Sequence, residues 1–341
     1  MSFITKWADR LFSARHADAP VHQSVNPEID DAGTETGEEA EENGGPEVPD
    51  RSVADLDAPT FDVDRYFYAW LIGLDDLVEQ PPNAFEQSVL HDFEQMVRGQ
   101  QSNAHLVPRL PTVIPQLMHS LKDEKMTSAQ LARQIAKDPV LVGEVIRLAN
   151  SPYYRRSRKI ASIEQAVVLL GQNGLNQLIA RVAFYPILNL RSGQMTQRAG
   201  ARLWGQSELC ALACHDLAEK QKLDAFAAYL SGLVVNVGMM VGLRLMDQLS
   251  GKEVHDIPCA WDFYRSLILH ARHFSHRIVE EWGFPENVIQ AIGEKAEQTA
   301  PESMSPLGRI LCRCDQSSKL DLLRENQRLP VAGGTARVYS I

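Results

Sequence analysis

The chain has 341 residues, 44% of them hydrophobic, which suits one large globular domain or two smaller ones with tails. Its net charge of −10 is local: residues 1–60 carry 14 Asp and Glu against 4 Lys and Arg, leaving 30 of each for the remainder. That balance argues against non-specific DNA binding, which needs a basic face, and five cysteines without framework spacing exclude a secreted disulfide scaffold.

Residues 1–16 can form a short amphipathic helix, with Phe3, Ile4, Trp7, Leu11 and Phe12 at helical spacing. It would dock on a membrane, on a partner or on its own domain; a helix so short is marginal alone. The segment has no long apolar core and no cleavage site, so a secretory leader is not expected. Residues 17–60 follow as an acidic linker. Between Asn26 and Asp50 it holds ten acids and no Lys or Arg, too little apolar surface to offset the entropy of ordering. Residues 61–106 carry two helical stretches separated by Pro81-Pro82 and are expected to pack as an extension on the main domain.

From Leu110 almost every segment has a helical pattern, so the expected fold class is all-α. Pro139 opens a helix in which Leu141, Val145 and Leu148 form one stripe, and Asp138 can cap it. Asn150-Ser151-Pro152 ends it, because the residue before a proline avoids the helical region. Ser162 caps the next helix, and Gly171 and Gly174 bracket a tight turn. The segment from Ala225 to Met246 is expected to be one long helix, its glycines marking close packing against neighbours. It is broken by Asn236, Gly238, Gly242 and Arg244 as a membrane span, so no transmembrane segment is expected. Residues 326–341 are a C-terminal tail. Together these features place the chain in a reducing cytoplasm.

Three blocks in order carry a resemblance: LPTVIPQLMHSL with LARQIAKDPVLVGEVIRLANSPYY, then ASIEQAVVLLGQNGLNQLI, then LWGQSELCALACHDLA, YLSGLVVNVGMM and EEWGFPENVIQAI. The series resembles the HDOD domain, a relative of the HD and HD-GYP phosphohydrolases. Its signature positions here are Asp138, Pro139, Asn150, Ser151, Pro152, Gly171 and Trp282. The resemblance implies a two-lobed helical domain over residues 107–325, with a smaller lobe at 107–190 and an HD-like lobe at 191–325. It also implies a bacterial signal-transduction role.

Active HD relatives hold a metal on an adjacent His-Asp pair that is soon followed by glycine. The matching segment here is SGLVVNVG, so Val235 and Asn236 stand at the pair. Valine has no donor, and an amide oxygen is a poor replacement for carboxylate on a transition metal. The earlier ligand falls near Gln206, and a later one on Ala271, with His270 and His273 nearby. The Gly-Tyr-Pro signature of the cyclic-di-GMP hydrolysing branch is absent. The resemblance therefore implies a non-catalytic module without metal or cofactor. It would act by protein–protein or small-ligand recognition, with signalling partners of the two-component or cyclic-di-GMP type. Any surviving pocket is expected near Gln206, Val235, Asn236 and Ala271.

Two alternatives stay open. One is a metal-dependent phosphohydrolase with atypical ligands, to which clustered His270, His273 and His276 could contribute. The other is a DNA-associated regulator, because residues 128–159 suggest a helix–turn–helix with a basic end. That helix exposes only Glu144 and Arg147 beside its stripe, so nucleic acid is not the expected partner. Arg155, Arg156, Arg158 and Lys159 are instead a candidate contact for an anion or an acidic partner surface. Cys210 and Cys214 are expected to be small buried core residues.

Overall fold

The computed structural model describes residues 61–99, 106–107, 133, 139–150, 160–188, 193–250 and 257–330. Among them are ten helices and no strand. The expectations for residues 1–60, for Asp138, Ser151, Pro152, Arg155, Arg156, Arg158 and Lys159, and for residues 331–341 lie outside the described residues.

Helix α1 (Val63–Ile72) starts because the Asp62 carboxylate accepts from the Asp64 and Arg65 amides. It stops at Gly73, whose φ of 88° is left-handed. Asn83 and Glu86 form a capping box at the start of α2 (Ala84–Val97). Glu86 is fully buried, and its second oxygen accepts from the Cys259 and Ala260 amides at 2.9 and 3.1 Å. A parallel bridge between Val78 and Ala260 closes the same junction. Phe67, Ile72, Val89 and Phe93 are wholly buried, each contributing about 1.5–3 kcal/mol of apolar transfer. The two helices of residues 61–99 thus share the core of the helices that follow.

Helix α3 (Pro139–Ala149) begins at Pro139, as its missing N–H predicts. Asn150 ends it with a clamp: the side-chain oxygen accepts from Ile160 N at 2.8 Å, and the amide donates to Ile160 O at 2.6 Å and Ile146 O at 2.8 Å. Helix α4 (Ile163–Leu188) is interrupted at Gly171, where φ is 67° and ψ −178°. The expected turn is there, and the chain resumes as helix beyond it. Helix α3 packs on α4, and α4 packs on α5 (Gln194–Lys220) and α6 (Ala225–Val234).

Helix α5 is capped from a distance: Asp247, on α7 (Val237–Ser250), accepts from the Met195 and Thr196 amides. The single helix expected over residues 225–246 is two, because the chain turns at Val235 and Asn236. Helical periodicity cannot show that break in a segment apolar on every side. Residues 225–250 are apolar enough to cross a membrane by length and composition, but their most apolar stretch lies entirely inside the protein. Helices α8 (Trp261–Glu281), α9 (Glu286–Ala296) and α10 (Pro306–Glu325) complete the bundle. Helix α10 packs on α1, α5, α6 and α9, and α8 packs on α2, α7 and α9.

Glycines set two of these contacts, as their clustering suggests. A methyl at Gly232 would strike the Ala211 backbone, and one at Gly238 would strike the Ala271 carbonyl. The Gly238 amide donates to Ser275 Oγ at 2.9 Å, and that hydroxyl donates to Val235 O at 3.1 Å.

Candidate functional site

The turn between α6 and α7 faces α5, α8, α9 and α10, and four expected site residues meet around it. Val235, Asn236 and Ala271 line one small cavity; Gln206 lies behind it. The Asn236 amide donates to Gln206 Oε1 and, at 3.0 Å, to Ser207 Oγ. The Gln206 amide donates onward to Asp315 Oδ1 and Ser318 Oγ, both at 2.9 Å. Both amide side chains are buried, so these bonds meet the cost of removing them from water.

Beyond this neutral chain lies an ionic cluster. Lys319 Nζ stands between two carboxylates, 2.7 Å from Asp64 Oδ1 and 3.0 Å from Asp315 Oδ2. Lys295 Nζ reaches the same Asp315 oxygen at 2.7 Å. A guanidinium nitrogen of Arg272 lies 2.8 Å from Asp64 Oδ2. Two carboxylates therefore face three cations. The Lys319 ammonium also lies 5.5 Å from the ring centroids of Phe67 and Tyr68.

Burial opposes ionisation throughout the cluster, and charge pairing overcomes it. At Asp315 burial raises the pKa, but Lys295 and Lys319 hold the carboxyl well below the usual range. Asp64 behaves likewise: Lys319 and Arg272 outweigh burial and lower its pKa. Burial would discharge Lys319, yet Asp315 and Asp64 push its pKa well above the ordinary lysine value. At Tyr68 burial outweighs the nearby Lys319 and Arg272 and pushes the phenol up to about 12.

Sequence reasoning missed Asp64, Tyr68, Arg272, Lys295, Asp315 and Lys319. One signal was available on α10: positions 307, 311, 315, 319 and 323 form a single i+4 row reading Leu, Leu, Asp, Lys, Leu. An acid and a base four apart on an otherwise apolar, buried row mark a buried pair. The other members come from α1, α8 and α9, and their convergence is tertiary.

The remaining expected residues are dispersed. Trp282 ends α8 and packs against Phe184 and Phe284. Cys210 and Cys214 are buried between helices, as expected, with sulfurs 4.0 Å apart. His270 packs its edge on Phe93, and His276 lies 3.6 Å from Glu280. Among the described residues no three His, Cys, Asp or Glu side chains are grouped to hold a metal.

The helical order and this convergence agree with the profile of the HDOD domain, which matches residues 107–298, more than half of the chain. The chain belongs to the HDOD family. Its fold resembles that of an HDOD domain protein from Geobacter sulfurreducens, with a TM-score of 0.54 over 70% of this chain and 80% of the other, at 20% identity. In sequence, the HDOD chain is 25% identical over 210 residues to an uncharacterised protein of Treponema pallidum (strain Nichols) and 27% over 143 residues to the uncharacterised protein YuxH of Bacillus subtilis (strain 168). Those matches cover 59% and 42% of this chain but only 40% and 32% of the relatives' own lengths.

Proposed function

We propose that this HDOD chain is a non-catalytic regulatory module of bacterial signal transduction, working in the cytoplasm through recognition of a protein partner. One observation carries the reading: the Lys319 ammonium lies between Asp64 and Asp315, beside the turn where active HD relatives present their metal-binding pair. A divalent ion in this place would meet three positive side chains. It would find no donor at Val235, and at Asn236 an amide already bonded to Gln206 and Ser207. These residues do not suit a catalytic metal, which needs imidazole and carboxylate oxygen in one shell with an open position for water. The cavity beside the cluster, about 10 Å³, admits one water-sized particle and not a nucleotide. With so small a cavity inside, the outer surfaces of the domain are left for recognition. Partners of the two-component or cyclic-di-GMP type are the class that this role would serve.

Metal content and hydrolysis test the reading together. Full-length protein, purified without chelator and analysed by mass spectrometry, is expected to carry well under one transition-metal ion per chain. Added manganese, iron or zinc should not support cleavage of a phosphodiester substrate. One tightly bound ion per chain, or turnover that follows metal addition, would refute the proposal.

A further inference from the structure

The ionic cluster is out of balance, and its surroundings suggest what restores the balance. Among the described residues, Asp64 and Asp315 provide two negative charges; Lys295, Lys319 and Arg272 provide three positive ones. Arg272 and Asp64 are partly exposed, at 22% and 18% of their side chains, while Lys319 and Asp315 are buried, so a surplus charge on the buried side is costly unless a partner neutralises it. The carboxylates are already committed: Asp315 Oδ1 accepts from Gln206, Oδ2 accepts from both lysines, and the two oxygens of Asp64 take Lys319 and Arg272. Donors are in excess. Lys295 Nζ has three N–H groups, and one of them is used by Asp315. Arg272 has five donors, and one serves Asp64. Tyr68 is 3% exposed overall, and its hydroxyl makes no hydrogen bond to a described residue but keeps some access to solvent.

All three of those residues line the same cavity, whose other walls include Asp315 and Lys319, already paired with each other, and the apolar side chains of Met239, Ile268 and Ala271. Its volume, about 10 Å³, suits a single small particle. A water molecule would fill the space and accept hydrogen bonds but would leave the charge uncompensated. A phosphate, carboxylate or nucleotide would bring charge but not fit. A monatomic anion meets both conditions.

We propose that this cavity is a site for one halide ion of the chloride class, held by the Tyr68 hydroxyl, the Lys295 ammonium and the Arg272 guanidinium. The bound halide brings the cluster to neutrality and joins α1, α8 and α9 through one shared ligand. The site rests on the metal-free reading given above. A stoichiometric metal would remove that reading, whereas a metal-free protein that ignores halide would remove the anion site alone.

The test uses the full chain at constant ionic strength, with sodium chloride or bromide replacing sodium gluconate stepwise. The unfolding midpoint should rise saturably by a few degrees, as for any ligand that binds only the folded state. Gluconate is the more strongly excluded, generally stabilising anion, so a rise with chloride runs against the bulk salt effect. In parallel, chloride-35 NMR of a dilute sodium chloride solution should show a line broadened by the protein and narrowed again by excess bromide. Lys295→Met removes the surplus charge and should abolish both responses, while Lys295→Arg should retain them. Tyr68→Phe should raise the half-saturating chloride concentration about tenfold, the worth of one hydrogen bond to a charged group. A wild-type midpoint and chloride line that ignore halide would mean that the cavity holds water only and would overturn the proposal. So would a full chloride response in Lys295→Met, or an equal, saturable response to inorganic phosphate. Should Lys295→Met fail to fold, the wild-type chloride line and its bromide competition still decide.

Discussion

Asn150 and Asp315 are both polar side chains that tie distant backbone or side-chain groups together, but they do so by different chemistry. Asn150 is neutral and local: it clamps Ile160, ten residues away, by pairing with that residue's own N–H and carbonyl. Asp315 is charged and collects Gln206, Lys295 and Lys319 from three helices. The α3–α4 pair is thus held at this point by bonds that each satisfy an obligatory backbone group. The larger bundle is held by ions whose desolvation must be offset by one another. Loss of one partner should therefore be mild in the first case and severe in the second, because a stranded charge costs more than a stranded amide.

The largest expected effect is at Asp315. Asp315→Ala leaves Lys295 without its carboxylate and Lys319 with only Asp64. The cost in urea unfolding should be about 3–5 kcal/mol. Adding Lys319→Met to an Asp315→Leu background should recover part of that loss, since a pair exchanged for apolar side chains leaves fewer stranded charges. A double variant less stable than Asp315→Ala would show that the cluster contributes more than charge balance.

Asn150→Ala should cost less, about 1–3 kcal/mol, the penalty for leaving the Ile160 groups unpaired. Its signature is local. Amide exchange at Ile160 should accelerate while amides of α8 and α10 keep their protection. Uniform loss of protection would mean that the clamp supports the bundle as well.

The smallest effect near neutrality is titration, and it separates the two regions, since the clamp does not titrate. Asp64 and Asp315 have folded pKa values below their ordinary 3.8. Their contribution is complete above pH 3.8 and is lost as pH falls below it toward the depressed values. Lys319 lies above its ordinary 10.5, so its contribution is complete below that pH and is lost as pH rises. Burial raises the Cys312 thiol above its ordinary 9.0, and it raises Tyr68 from 10.0 to about 12, which starts the alkaline decline earlier. His270 is lowered from 6.5 by burial and adds a shallow loss below that pH. Stability should be flat from about pH 6.5 to 9 and fall on both sides. The steep acid limb below pH 3.8 should shrink when Asp315 and Lys319 are replaced together. A limb unchanged by that replacement would place the acid sensitivity elsewhere.

Much of this architecture was legible in advance. Pro139, the Ser162 cap and the left-handed Gly171 act through local backbone geometry, so their positions follow from residue type. The meeting of Val235, Asn236 and Ala271 at one cavity, with Gln206 behind it, followed from the family resemblance. The α6–α7 break did not show, because a segment buried on all sides carries no amphipathic phase. The ionic cluster showed only as the Asp315–Lys319 spacing, since Asp64 and Lys319 are 255 positions apart and no periodicity reaches that far.

That separation bears on how the chain comes into being. Synthesis delivers α1 first and α10 last, so Asp64 leaves the ribosome long before its lysine exists. Until residues 315 and 319 emerge, Asp64, Arg272 and Lys295 have only part of their network, and α5 and α6 lack the helix that packs over them. Such long-range closure delays the final collapse of the helices that pack on α10. The α3–α4 pair, clamped between Asn150 and Ile160 only ten residues apart, can form while the rest is still being made.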